Sequence, residues 1–184
     1  MGLDDYGYVE KLYGFYVTDW SINWGTFSNH HYMLDREYIN DGCETIDSSD
    51  ASDTNIFIYP FYTKKVYFVE GVIKGHISLA ASEATSEVTA YRVTICRATL
   101  TEVEEIISTG WVTINKTLEW HTEPTAYGDE IVLPFWIDCW EEQKFEDEER
   151  LCVKIEVNTS GNCLLMHTND PEWEDIKIEI PMRG

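Results

Sequence analysis

From Ile56 almost to its end, the chain alternates apolar and polar positions with a period of two. Tyr67, Val69, Gly71, Ile73, Gly75, Ile77 and Leu79 stand on one side, with Glu70, Lys74, His76 and Ser78 between them. Tyr91, Val93 and Ile95 repeat the pattern, as do Ile131, Leu133, Phe135, Ile137 and Cys139, then Leu151, Val153, Ile155 and Val157, then Ile176, Ile178 and Ile180. Such a period sends successive side chains to opposite faces of a sheet, one packed and one wet. The pattern predicts strands over 56–62, 65–80, 87–100, 102–108, 111–120, 129–140, 150–157 and 163–167, with 175–181 closing the chain. Turn residues separate them: Asn158 to Asn162 reads as a hairpin, and His121 to Gly128 as a longer loop. Pro60, Pro134 and Pro181 assign their segments to sheet edges or bulges. Helix is confined to a turn around 31–38 and a stretch within 141–149.

Short strands without helical pattern between them predict an all-β fold: an antiparallel β-sandwich, jelly-roll-like, of about eight strands. That sandwich is expected over residues 56–184. Residues 1–55 read differently, as an irregular aromatic N-terminal arm followed by an acidic loop. An immunoglobulin-type sandwich is the second architecture, but its inter-sheet cysteine pair and companion Trp are not in the expected arrangement.

At 184 residues the chain is long enough for one domain, burying roughly 70% of its unfolded surface without a disulfide or metal staple. The 34 Asp+Glu against 13 Lys+Arg give a formal net charge of −21. A surface of that sign argues against nucleic acid and anionic membrane as partners. No apolar window is long enough to span a bilayer, and the acidic, aromatic start predicts no secretion signal. The cysteines, Cys43, Cys96, Cys139, Cys152 and Cys163, are odd in number and lack CxxC spacing, so they read as reduced thiols of a protein made in a cytoplasm.

Candidate chemistry is sparse. Asp47, Asp50 and Asp53 recur every three residues in the acidic loop and form a weak calcium candidate, but no Gly or closing Glu completes an EF-hand. His30, His31 and Asp35 lack further ligands at metal spacing, so no metal and no cofactor is expected. Glu119 and Glu130 can be nominated as a glycosidase pair, though carboxylates are abundant everywhere. No GxSxG, P-loop, GxGxxG or HExxH motif occurs, and the reading is of a protein that is not an enzyme. Aromatic rings are the stronger signal. Tyr6, Tyr8, Tyr13, Phe15, Tyr16, Trp20 and Trp24 crowd the arm and are expected to bind a partner, because exposed rings signal an interface. Trp111, Trp120, Trp136 and Trp140 offer an alternative, a sugar-stacking platform.

In architecture and composition, over most of its length, the chain resembles the small structural proteins of tailed-virus particles, such as decoration, head-fibre and accessory proteins. That resemblance implies a virion component made in the host cytoplasm. It implies binding to other protein subunits, as a homo-oligomer or on a capsid or tail protein. A jelly-roll carbohydrate-binding module or lectin is the alternative. The two readings part on whether loss of the arm abolishes association, or glycans change the Trp fluorescence.

Overall fold

A computed structural model describes residues 7–16, 21–36, 46–47, 56–59, 67–81, 84–121, 129–160, 163–166 and 176–183. Fourteen strands and no helix occur among them. In chain order they are β1 (Tyr8–Tyr16), β2 (Ile22–Trp24), β3 (Phe27–His30), β4 (Tyr32–Asp35), β5 (Ile46–Asp47), β6 (Ile56–Ile58) and β7 (Tyr67–Ala81). Then follow β8 (Ser86–Ala98), β9 (Val103–Ser108), β10 (Val112–Leu118), β11 (Glu130–Phe145), β12 (Arg150–Thr159), β13 (Cys163–Met166) and β14 (Lys177–Arg183).

The all-β class stands, and the strand count exceeds the eight expected. Twelve strands make one sheet in the order β10-β8-β12-β6-β4-β1-β14-β7-β13-β5, with β11 added to β7 and β9 to β8. Its pairings are antiparallel except β4 on β6. The sheet rolls until its ends nearly meet as a barrel. The Tyr91 hydroxyl on β8 donates to the Pro134 carbonyl on β11 at 2.6 Å, and the Asp129 amide donates to Glu119 O at 2.8 Å, so the β8–β10 side is tied to β11.

The main core fills the roll. Phe57, Phe145, Ile73, Ile77, Leu79, Ile95, Leu151 and Ile155 are almost wholly buried, each side chain of this size contributing roughly 1.5–3 kcal/mol. A second apolar cluster lies on the other face of β8 and β12, where the β2–β3 hairpin covers Cys96, Ala98 and Cys152 with Ile22 and Phe27. Gly25, at φ 59°, makes the turn of that hairpin, and a side chain there would strike Thr99 O.

Two expectations are corrected here. The arm is not irregular: β1 lies inside the large sheet between β14 and β4. Its period was hidden because inward positions hold Glu10 and Gly14 where apolar residues are expected. Glu10 is buried because Arg36 Nε approaches its carboxylate to 2.6 Å. The helical candidates also fail. Residues 32–35 are β4, residues 141–145 continue β11, and 146–149 turn into β12.

Candidate binding face

The outer faces of β11, β7, β14 and β1 form a continuous surface. On β11, Leu133, Phe135, Ile137 and Cys139 point into the core, which leaves Val132, Pro134, Trp136, Asp138 and Trp140 outside. Strand register sets these in rows. Pro134 lies across from His76, His76 from Lys177, and Lys177 from Tyr13. In the next row stand Trp136, Lys74, Glu179 and Lys11. Asp138 and Val72 follow, with Pro181 across from Val9.

Trp136 is 67% and Trp140 76% exposed, values that few tryptophans of a folded chain show. Beside Trp136 a shallow cleft of 440 Å³ is lined by Val72, Lys74, His76, Pro134, Lys177 and Glu179. Lys74 Nζ stands 3.3 Å from Glu179 Oε2, and Lys177 Nζ 6.0 Å from the centre of the Tyr13 ring.

The other residues singled out from the sequence are scattered. Trp111 is half exposed, at the opposite end of the sheet order, with the Arg92 guanidinium 5.3 Å from its ring. Trp120 is half-buried, its amide donating to Thr85 Oγ1. A four-tryptophan platform is therefore not assembled; only Trp136 and Trp140 share a face. In the leading segment Tyr8 is exposed, Tyr13 is half-buried, and Trp24 lies over Arg150 at 4.3 Å. Phe15 and Tyr16 end β1, while Tyr6 and Trp20 lie outside the described residues. Asp47 belongs to β5, whereas Asp50 and Asp53 lie outside the described residues. His30 is buried between the Phe27 and Tyr32 rings with Nε2 2.7 Å from Ile56 O. Among the described residues no three His, Cys, Asp or Glu converge as a metal site.

Two groups bear on catalysis. His121 Nε2 meets Asp129 Oδ1 at 2.7 Å at the surface, and this hydrogen bond, with one from the Glu119 amide, holds the Asp129 carboxyl below its ordinary value. Among the described residues no hydroxyl or thiol is hydrogen-bonded to His121. Three of the described cysteines are poor nucleophiles: burial pushes the Cys96 thiol up to about 12 and raises Cys139 and Cys152 as well.

No family model and no curated protein matches the sequence. Solved structures do. A crystal structure of a CocE/NonD family hydrolase from Staphylococcus aureus is similar over 96% of this chain, at 15% identity and a TM-score of 0.57. A second crystal structure of the same hydrolase is similar over 97% at 13% identity and a TM-score of 0.52. In each case the chain spans 37% of the hydrolase's length. The likeness concerns fold. This overturns the expectation of a virion structural protein, which general architecture and composition had suggested: the fold is similar to part of a CocE/NonD family hydrolase.

Proposed function

We propose that this chain is the β-sheet module of a hydrolase-type protein, and that it meets the nucleophile-bearing part through the outer face of β11, β7 and β14. The observation that carries this is a coincidence in one chain. Nearly its whole length superposes on a portion of a hydrolase, and it leaves two indoles on one strand face in water. A Trp ring buries about 150–250 Å² when covered. Two of them at the centre of a contact supply hot-spot energies of about 2 kcal/mol or more each.

A hydrolase needs a nucleophile, a base oriented toward it, and donors for the developing oxyanion. The described cysteines are buried, and His121 spends Nε2 on Asp129, with no hydroxyl partner among the described residues. On this reading those groups come from the part that the module covers, and the module shapes and shields the site. Geometry that excludes water there strengthens each electrostatic interaction inside.

The test places a photo-crosslinking residue at position 140 in cells that make the protein, with crosslinked peptides identified by mass spectrometry. Peptides from a hydrolase-type chain are expected, and Trp136→Ser should remove them. Crosslinks confined to copies of this chain, or saturable hydrolysis of p-nitrophenyl esters by the purified chain alone, would overturn the reading.

A further inference from the structure

On this acidic molecule, basic side chains gather at one cleft of the described surface. Overall there are 34 acids to 13 bases, yet the cleft beside Trp136 is lined by Lys74, Lys177 and His76 against Glu179. Lys11 stands across from Glu179 in the register of β1 on β14. Glu179 thus sits among three lysines, paired with Lys74 at 3.3 Å, while Asp138 is one row away, across from Val72, and Asp35 stands across from Tyr13 at the end of the Lys177 row. At physiological ionic strength charges more than about 8 Å apart are largely screened. A ligand in the cleft therefore meets these lysines rather than the charge of the whole molecule.

Shape and chemistry narrow the ligand. A volume of 440 Å³ is within the range of ligand clefts. Its length along β7, from Val72 to His76, is about 13 Å at 3.3 Å per residue. That accommodates four or five residues of extended chain. Pro134, Val72 and the indole of Trp136 provide an apolar wall next to the cations.

We infer that the cleft binds a short acidic peptide segment, its carboxylates on Lys74 and Lys177 and a proline or aliphatic side chain against Trp136. This deepens the reading given above and rests on it, since the segment would belong to the part the module meets. Lys74 is 63% exposed, so replacing it leaves the core untouched.

The probe is a blocked hexapeptide, Glu-Glu-Pro-Leu-Glu-Glu, titrated into the intact chain while Trp fluorescence and heat are followed. Peptides with Gln or Lys in place of Glu serve as comparisons. The acidic peptide should bind at least about tenfold more tightly than the Gln peptide, with the difference shrinking as salt shortens the screening length. The double variant Lys74→Glu with Lys177→Glu, folded by circular dichroism, should lose that tenfold. Should it not fold, Lys74→Glu alone should reduce the preference at least threefold. Trp136→Ser should weaken both peptides alike. Equal binding of Glu and Gln peptides, preference for the Lys peptide, or an acidic preference that survives charge reversal would each overturn the inference. Peptide preference without a crosslinked hydrolase would sink only the broader reading, and a crosslinked hydrolase with charge-blind binding would sink only this one.

Discussion

Individual side chains do their work here by satisfying one another at the seams of the sheet. Asp129 closes the base of the 122–128 connection: its Oδ1 meets His121, its Oδ2 accepts from the Glu119 amide, and its own amide donates to Glu119 O. The carboxyl is held below its ordinary value, first by the His121 hydrogen bond and then by the Glu119 amide. A lowered folded-state value means that its stabilisation is complete above the unfolded value of about 3.9 and disappears as pH falls through the folded one. Asp129→Asn should therefore have a lower urea midpoint than the parent at neutral pH. The gap between the two proteins should narrow as the pH falls below about 3.9 and through the lowered folded-state value. An undiminished gap in acid would show that the carboxylate is not responsible. Arg92 and Lys154 form a comparable group with Glu156 and Glu105, with Nζ of Lys154 3.1 Å from Glu105 and 3.3 Å from Glu156. Partial exposure keeps such pairs to about 1 kcal/mol or less each.

At the scale of strands, Gly75 fixes how β14 crosses β7. A Cβ at that position would lie 2.0 Å from Lys177 O and 3.0 Å from the Ile178 Cα, both backbone atoms that cannot swing aside. Gly75→Ala should cost about 3 kcal/mol or more, as overpacking against a fixed neighbour does, and should disturb the cleft as β14 shifts. Urea unfolding checks the first and peptide affinity the second; a variant as stable as the parent would mean that β14 is loosely held. This element-level picture was partly legible beforehand. Strands β7 and β11 alternate over most of their length, because one face of each packs into the core, whereas β8 and β12 are buried on both faces where the β2–β3 hairpin covers them. Strand β1 was not legible, since Glu10 and Gly14 occupy inward positions that only Arg36 and the close approach of Ile176 explain. The β2–β3 hairpin carried a readable signal, Trp24-Gly25-Thr26-Phe27, a two-residue turn with Gly between paired rings. Its covering of β8 was not readable, because period two marks a face as apolar without saying which segment lies on it. The binding face was half visible. Trp136 and Trp140 stood on the polar side of β11 in the sequence, whereas Lys74, Lys177 and Lys11 meet only through register between distant strands.

The whole molecule carries a charge of −21, and its surface repels itself. Salt acts in two directions: it screens this repulsion, and it weakens exposed ion pairs worth at most about 1 kcal/mol each. With 34 acids against 13 bases most carboxylates have no cation to pair with, so the first effect wins. Raising NaCl from about 0.01 M to about 0.15 M shortens the screening length from about 30 to about 8 Å and should raise Tm in a calorimeter; a falling Tm would mean that the ion pairs dominate. Among the described residues four strands of the large sheet, β5, β9, β10 and β11, pair on one side only, and β11, joined to β7, is the longest of them. Midway along it stands Pro134, without an N–H, its carbonyl already taken by Tyr91. A stray chain that tried to zip onto this border would find a gap where it needs an amide and an oxygen already spoken for, so along β11 the sheet resists growing into fibres.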